Sequence, residues 1–544
     1  MKGGTIPLSV LWARVYSPGI ANPSSSLVSR AVRGAGWTIL TGVGSRSVGL
    51  VGTLALTYYL SPEVQGEVAN AFIVVLTAHQ LSTLGATQYL VAHPKSGPEV
   101  AWNVLVFQTV LGVLFFGGVV ALRDQFGAFL HAPTMGQYVP GMALAIFIER
   151  VGMVPERLLA RKLNFRTIGL GRTVGEVLYT GASVWLAWRG WGGMAIVWGN
   201  VLRCSANFLI LAIAADRSEW LAPSKVSRAI LKPVLSFSLP LSVGAFATFA
   251  TRRFDNLVIS RLFGPGVAGQ YGLAYNLADV PAVQVGEQIG DVLFPSFAQM
   301  DPKTRKKALL RATGLMALVV FPLAVGLGAV APSVVSAMLS KEWAGVAPML
   351  LILSALSVTR PVGWTVQAYL QASKRPRQAM WLGLAKIVFL LGALILIGNV
   401  TKNPLWACGA VGIAFGGHSL ASMWVVSRLD DISMTKFLGR LVPPLLACIP
   451  MGIAVLGVRY GLAEMGVHKA GVSLVVEVFA GALGYIGGAL VVARALSVDF
   501  IELVKNAVRR RRGGRNSEPP PSESRLSEAP LSESSPSEAP PSTL

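Results

Sequence analysis

Apolar stretches of about 20 residues, the length that crosses the hydrocarbon core of a bilayer as an α-helix, recur along most of this 544-residue chain. Hydrophobic residues make up 53% of the sequence and charged residues only 13%, against roughly 25% charged residues in ordinary soluble domains. The sequence therefore predicts an all-α polytopic membrane protein. The predicted spans, about fourteen, are 37–60, 67–91, 101–121, 138–156, 168–188, 193–215, 236–260, 268–297, 308–331, 346–367, 379–398, 405–426, 439–458 and 472–496.

Lysine and arginine residues are distributed unequally between alternate loops. With the N-terminus placed in the cytoplasm, 32 of the 47 basic residues fall on the cytoplasmic side and 7 on the outside, as the positive-inside rule requires. This distribution predicts that both termini are cytoplasmic. It also accounts for most of the net charge of +21 without a nucleic-acid partner. The predicted location is the bacterial cytoplasmic (inner) membrane.

The two ends of the chain differ in composition from the predicted spans. Residues 1–36 are predicted to be a cytoplasmic N-terminal segment, since no convincing signal-peptide cleavage site is present. Residues 509–544 begin with four arginines and continue in Pro, Ser and Glu, a composition that cannot bury a core. They are predicted to be a disordered cytoplasmic tail whose arginines hold anionic lipid headgroups.

One short stretch of the sequence occurs twice. LSPEVQGEVANAF begins at Leu60 and FGPGVAGQYGLAY begins at Phe263, 203 residues later, with four identities and one aromatic match without a gap. Each copy joins the first and second helices of a six-helix block, so the sequence predicts an N-lobe (37–215) and a parallel C-lobe (233–428), followed by an extra helix pair (437–497). Such repeats are typical of transporters that bind substrate between two halves and expose it alternately.

Charged side chains within the predicted spans are the candidate site, because each costs about 2.5–3.5 kcal/mol if it faces lipid. Arg46 has no acid near it, and Arg252 and Arg253 lie mid-depth in the equivalent span of the second lobe. Arginine binds phosphate and carboxylate groups bidentately, so a cavity lined by such residues suits an anionic, phosphate-bearing substrate. The predicted substrate-binding residues of this cationic cavity are Arg46, Arg252, Arg253 and Arg360.

Acidic residues in the second lobe are predicted to lie along one wall of this cavity. Glu287 and Asp291 belong to a polar stripe at helical spacing that begins at Gln284. Two interpretations remain open: these acids bind a coupling Na⁺ or H⁺, or they form internal ion pairs with the arginines. The candidates for either role are Asp255, Asp279, Glu287 and Asp291.

Other charged residues in the spans have structural interpretations. Arg172 and Glu176 lie four residues apart, which predicts an ion pair along one helix. Arg150 and Arg203 lie near the ends of their spans and are predicted to reach the membrane interface.

The sequence predicts neither a cofactor nor a metal, and no catalytic residue. The three cysteines all fall in apolar runs without metal-ligand spacing, which predicts small core residues. The nucleotide-binding pattern GxxxxGK[ST] does not occur. The chain is therefore predicted not to be an enzyme.

The run FDNLVISRLFGPGVAGQYGLAYNLADVPAVQVGEQIGDVLFPSFAQ, which begins at Phe254, resembles the signature region of Wzx-type polysaccharide flippases of the MOP superfamily, and the WzxC-like exporters in particular. The resemblance covers about residues 28–497. It implies two six-helix lobes and an undecaprenyl-pyrophosphate-linked oligosaccharide that is flipped to the outer leaflet for exopolysaccharide, O-antigen or capsule export. The implied partners are this lipid-linked oligosaccharide and membrane lipids. A polysaccharide polymerase and export machinery are further candidate partners.

Two other functions compete with the flippase interpretation. A MATE-like, cation-coupled multidrug antiporter on the same superfamily fold needs an acidic and aromatic site for organic cations, which the excess of arginine argues against. A membrane polysaccharide polymerase or ligase needs catalytic groups in a sizeable outer loop, whereas the predicted outer loops are short and hold no acidic cluster.

Overall fold

The computed structural model describes residues 41–42, 44–93, 96–466 and 469–513, and all regular structure in these ranges is helical. The predicted N-terminal segment and residues 514–544 of the predicted tail lie outside the described residues. The chain divides into two units between Arg494 and Ala495. The second unit contains most of the last helix, Arg494–Gly513.

The first unit contains two successive groups of helices and a final helix pair. Helices of the first group, called the N-lobe, are α1 (44–56), α2 (Pro62–Thr83), α3 (Ala86–Ala92), α4 (Pro98–Ala121), α5 (Arg123–Phe129), α6 (Val139–Arg161), α7 (Phe165–Trp188) and α8 (Met194–Ala214), and the short α9 (Arg217–Trp220) follows them.

Helices of the second group, called the C-lobe, are α10 (Arg228–Phe263), α11 (Pro265–Ala298), α12 (Pro302–Ala329), α13 (Ala331–Met338), α14 (Val346–Leu356), α15 (Arg360–Ala372), α16 (Pro376–Thr401) and α17 (Pro404–Asp430). The final pair is formed by α18 (Met434–Leu446) with α19 (Cys448–Glu464), and by α20 (Ala470–Val492).

These helices confirm the predicted fold class, which is that of an all-α polytopic membrane protein. Within the described ranges, nine helical segments are long and apolar enough to cross a membrane, or up to eleven if each of two bent helix pairs is one span. The pairs are α2 with α3, bent by 55°, and the two parts of α10, bent by 45° between Leu239 and Leu241. The count of fourteen spans stays a prediction.

Several helices begin with the same local device. Ser61, Asp301 and Asn403 each precede a proline, and the side chain of each accepts a hydrogen bond from a backbone N–H of the first turn. Such N-caps satisfy a donor that has no partner within the helix, while proline fits the first helical position because its missing N–H is not needed there. The hydrogen bonds from Thr304 also hold the pKa of the exposed Asp301 carboxyl below its usual value.

Arg150 joins three elements of the N-lobe core, which corrects the prediction that it reaches the membrane interface. Its side chain is only 1% exposed. It donates to the carbonyl of Ser82 at 2.8 Å and to that of Gln108 at 2.7 Å, and the Gln108 amide donates to the carbonyl of Thr83 at 2.9 Å. Because the break between α2 and α3 frees these α2 carbonyls, Arg150 and Gln108 together satisfy the broken helix end.

The ion pair predicted within α7 is replaced by pairs between helices. Arg172 contacts Glu156 of α6 at 2.6 Å, and Glu176 lies 3.7 Å from Arg203 of α8. The prediction that Arg203 reaches the interface is also wrong, because its guanidinium faces this carboxylate inside the lobe. Helix spacing brought Arg172 and Glu176 onto one face, but the neighbouring helices supply nearer partners.

A buried ion pair fastens the final helix pair to the C-lobe. The Glu477 carboxylate on α20 is fully buried and contacts Arg459 of α19 at 2.8 Å. It also accepts hydrogen bonds from the Ser333 hydroxyl of α13 at 2.7 and 2.8 Å, while Arg459 donates to the carbonyl of Ala329 at 2.7 Å. The carboxylate therefore ties α19 and α20 to the end of α12 and the start of α13.

The Glu477→Ala substitution is expected to destabilise the purified protein by about 3 kcal/mol, because it removes a fully buried carboxylate that pairs with Arg459 and accepts a hydrogen bond from the Ser333 hydroxyl. The measurement is the thermal midpoint in detergent. Glu464→Ala, at the exposed end of α19, the helix that carries Arg459, is the matched control and is expected to leave the midpoint unchanged. Equal midpoints for both variants would contradict the structural role of this pair.

Candidate functional site

The two copies of the repeated stretch pack against each other, and this contact joins the lobes. A Cβ atom added to Gly66 would overlap the carbonyl oxygen of Pro265, and one added to Gly269 would overlap the carbonyl oxygen of Pro62. Only glycine permits backbones to approach so closely. The contact is reciprocal, as expected of two parallel repeats related by a two-fold axis.

Hydrogen bonds between the lobes surround this glycine contact. The Asn70 amide donates to the Ser260 hydroxyl at 2.6 Å, and the Ser340 hydroxyl donates to the carbonyl of Thr57 at 3.0 Å. Thr57 and Ser260 occupy equivalent positions, 203 residues apart. We call the region formed by residues 57–70 and 260–269 the closed end, since both backbones and side chains join the lobes here.

A cavity between the lobes, called the interlobe cavity, lies next to the closed end. Five pairs of its lining residues are related by the 203-residue offset of the repeat, so the cavity contains the two-fold axis. These pairs are Thr53 and Asn256, Gln65 and Ala268, Ala69 and Gly272, Phe72 and Tyr275, and Ile73 and Asn276.

The charges of the interlobe cavity break this symmetry. Arg252, Arg253 and Asp279 line it from the C-lobe, whereas the N-lobe positions equivalent to the two arginines are Gly49 and Leu50. The described lining residues of the N-lobe carry no charge. The described charged residues of the interlobe cavity therefore all belong to the C-lobe, although residues of both lobes form its walls.

One polar group of the N-lobe wall, on Gln65, has no hydrogen-bond partner among the described residues. The amide nitrogen of Gln65 is buried and makes no hydrogen bond within the described residues, yet the residue lines the interlobe cavity. A buried donor without a partner costs about 1–3 kcal/mol. An oxygen atom of a bound ligand would relieve this cost.

A second cavity, called the C-lobe cavity, lies among helices of the C-lobe. It shares Arg252, Tyr275 and Asp279 with the interlobe cavity, so the two adjoin at these residues. Arg360 also lines it and forms an ion pair with Asp279. The Arg360 guanidinium lies 5.3 Å from the ring centre of Phe415, within the range of a cation–π contact.

Arg46 lines neither cavity, but its helix face points toward the interlobe cavity. The side chain is exposed and lies seven residues before Thr53, a lining residue of that cavity. Seven residues are close to two helical turns, so both lie on one face of α1, about 10 Å apart along its axis. Arg46 is thus placed on the extension of the cavity wall away from the closed end.

The predicted acidic residues have different positions. Asp279 pairs with Arg360 where the cavities meet, whereas Asp255 is fully buried in the C-lobe and lines neither cavity. The Asp255 carboxylate accepts hydrogen bonds from the Tyr271 hydroxyl at 2.7 Å and the Asn256 backbone N–H at 2.9 Å. Its contacts are those of an anchor between α10 and α11.

Glu287 and Asp291 belong to α11, whose backbone is helical throughout. Their side chains lie outside the described residues.

Lys386 and His418 line the C-lobe cavity and were missing from the predicted site. The Lys386 ammonium nitrogen lies 3.8 Å from the ring centre of Phe415. The available signal was a single lysine in the apolar run WLGLAKIVFLLG, which begins at Trp381. The sequence offered no comparable signal for His418, because a histidine among small residues of one helix is equally compatible with a core position.

Metal-binding clusters are absent from the described part of the chain, where no group of three or more His, Cys, Asp and Glu side chains is placed to hold an ion. Cys204, Cys408 and Cys448 are buried and unpaired.

Two parallel helical lobes that enclose a central charged cavity are an architecture typical of membrane transporters. The chain belongs to the polysaccharide biosynthesis protein family, whose model matches residues 55–348. The resemblance to Wzx-type flippases is thereby confirmed.

Curated relatives agree with this family over most of their length. The chain is 27% identical to the succinoglycan biosynthesis transport protein ExoT of Rhizobium meliloti over 80% of this chain and 87% of that protein. It is 23% identical to the lipopolysaccharide biosynthesis protein WzxC of Escherichia coli over 72% of this chain and 78% of that protein.

A solved structure shares the fold. The lipid II flippase MurJ in an inward closed conformation superimposes with a TM-score of 0.67 at 14% identity, over 84% of this chain and 99% of that chain. This likeness concerns the fold alone.

Gly66→Val is expected to open the closed end, because its side chain would overlap the Pro265 carbonyl. The measurement is labelling of a cysteine placed at Thr53, in the interlobe cavity, by a membrane-impermeant maleimide added to intact cells. We expect labelling to rise several-fold above that of the parent with Gly66, since the native cysteines are buried. Gly457→Val is the control, because a Cβ at this position meets no atom within 4 Å. Equal labelling in the parent, in Gly66→Val and in Gly457→Val would contradict the role of the closed end as a barrier.

Proposed function

We propose that this protein is a flippase of the bacterial inner membrane that moves an undecaprenyl-pyrophosphate-linked oligosaccharide repeat unit to the outer leaflet for surface polysaccharide export. Membership of the polysaccharide biosynthesis family supports the proposal, as does similarity to proteins named for succinoglycan transport and lipopolysaccharide biosynthesis. A polysaccharide polymerase and export machinery would act on the flipped unit, and are proposed partners.

The observation that carries the proposal is the asymmetric charge of the interlobe cavity. Arg252 and Arg253 face a space built by both lobes, and their guanidinium groups suit the oxygens of a diphosphate. The unpartnered amide of Gln65 on the opposite wall adds a neutral donor. A lipid diphosphate that carries sugars supplies both the anionic group and the oxygen-rich body for such a cavity.

The closed end supports a mechanism of alternating access, in which the interlobe cavity opens to one side of the membrane at a time. The lobes meet through Gly66 and Gly269 on one side of the interlobe cavity. Breaking this contact and closing the opposite side would expose the cavity to the other leaflet. We propose that the predicted N-lobe (37–215) and C-lobe (233–428) are the bodies that move, and that the closed end lies on the outer side with both termini in the cytoplasm.

The charge of the cavity disfavours the antiporter alternative. An organic cation would meet Arg252 and Arg253 in the interlobe cavity, where the described lining contains a single acid, Asp279, which is already paired with Arg360. No observation on the described residues favours the polymerase or ligase alternative. A flippase needs no catalytic residue, and none is proposed.

Arg253→Gln and Arg46→Ala are each expected to reduce surface polysaccharide at least tenfold while the protein still reaches the membrane, because each removes a charge from the path of the diphosphate. The measurement is surface polymer per cell at matched protein level. Arg172→Gln is the control, since this arginine is paired with Glu156 at an exposed position on α7. Normal export by both variants would remove the arginines from the proposed site.

Deletion of the gene in its native host tests the function itself. We expect the complete undecaprenyl-pyrophosphate oligosaccharide to accumulate while surface polymer is lost, as measured by mass spectrometry of extracted lipids. The accumulated mass also identifies the repeat unit. Unchanged lipid and polymer levels in a host without a second family member would overturn the flippase proposal.

A further inference from the structure

The C-lobe cavity contains a lysine, Lys386, for which the described residues supply no carboxylate partner. Lys386 lines this cavity from α16, and its ammonium group lies over the ring of Phe415 at 3.8 Å. Within the described residues, no carboxylate lies within ion-pair distance of Lys386. An ammonium group at membrane depth costs several kcal/mol without an anionic partner.

The other charged groups that line this cavity do not supply that partner. Asp279 is the acidic member of the described lining, and it forms its ion pair with Arg360. Arg252, Arg360 and Lys386 are all cations. An anion brought by a ligand would therefore meet Lys386 without competition from an unpaired carboxylate of the described lining.

Lys386 and Arg253 belong to different cavities. Arg253 lines the interlobe cavity but not the C-lobe cavity, and Lys386 lines the C-lobe cavity but not the interlobe cavity. The two spaces adjoin at Arg252, Tyr275 and Asp279. A ligand that fills both spaces could place one anionic group near Arg253 and a second near Lys386.

The remaining lining of the C-lobe cavity suits a carbohydrate. The hydroxyl oxygens accept hydrogen bonds from sugar hydroxyls, the amide side chain offers both donors and acceptors, and aromatic rings offer flat apolar faces on which sugar rings pack. These residues are Thr248, Thr251, Gln367, Ser419, Ser422, Trp364 and Phe415.

We propose that the C-lobe cavity binds a carboxylate-bearing sugar of the repeat unit, and that Lys386 pairs with this carboxylate. The inference rests on the proposed flippase function and deepens it, because it assigns the substrate to the class of acidic oligosaccharides. The diphosphate stays with Arg253 in the interlobe cavity, while the acidic sugar occupies the adjoining C-lobe cavity.

The test compares two synthetic ligands on the purified full chain in lipid nanodiscs. Both carry the same short polyprenyl diphosphate and a disaccharide, which ends in glucose in one and in glucuronate in the other. We expect the wild-type protein to bind the glucuronate ligand about tenfold more tightly, the size of one charge-assisted hydrogen bond. Equal affinities overturn the inference, and this comparison needs no variant.

Variants then locate the interaction. Lys386→Met is expected to weaken glucuronate binding about tenfold and to leave glucose binding unchanged, and Lys386→Arg is expected to restore the preference. Arg253→Gln is expected to weaken both ligands alike. If Lys386→Met weakens both ligands alike, Lys386 holds the diphosphate and the inference is wrong.

If the proposed flippase function is wrong, the binding experiment gives a different result from the one that overturns only the acidic-sugar inference. Wild-type protein that elutes as a single folded species and binds neither ligand would overturn the flippase proposal itself. Diphosphate-dependent binding with no preference for glucuronate would overturn only the acidic-sugar inference.

Discussion

The close approach of two backbones at Gly66 and Gly269 is the constraint on which the rest of the site depends. Each glycine lies against the carbonyl oxygen of the proline that opens the other lobe's second helix. A side chain at either position would force α2 and α11 apart. Because the contact is reciprocal, it sets the two-fold axis, and this axis passes through the interlobe cavity that both lobes line with equivalent residues.

The backbones of the two lobes are symmetric, but the charges that line the interlobe cavity are not. The repeat supplies matching walls, yet Arg252 and Arg253 occupy positions where the N-lobe has Gly49 and Leu50. Cations within the membrane are tolerated only where partners, aromatic rings or a water-filled space reduce their cost. Arg360 has both Asp279 and Phe415 for this purpose. Lys386 has the aromatic ring of Phe415 but no carboxylate within ion-pair distance among the described residues, and the proposal that it binds a ligand rests on this difference.

Charged residues of the N-lobe show how far local spacing predicts contacts. Arg172 and Glu176 are four residues apart, and their pairing along α7 was a reasonable expectation. Packing of α7 against α6 and α8 instead gives Arg172 to Glu156 and Glu176 to Arg203. Arg150 illustrates the same limit, since its partners at the broken end of α2 are about 40 to 70 residues away in sequence. Spacing along one helix cannot anticipate partners that a second helix supplies.

The sequence by itself determined the membrane environment, the helical class, the internal repeat and the presence of arginines at membrane depth, because hydropathy, glycine–proline turns and charge are properties of short segments. Arg252, Arg253 and Arg360 could therefore be singled out from the sequence, and they line the two cavities, while their role in binding substrate stays a prediction. Only the tertiary structure decided that Asp255 is an anchor, that Asp279 neutralises Arg360, and that Gln65 and Lys386 face cavities. These outcomes depend on the rotation and crossing of helices, which are set by packing between residues far apart in the chain.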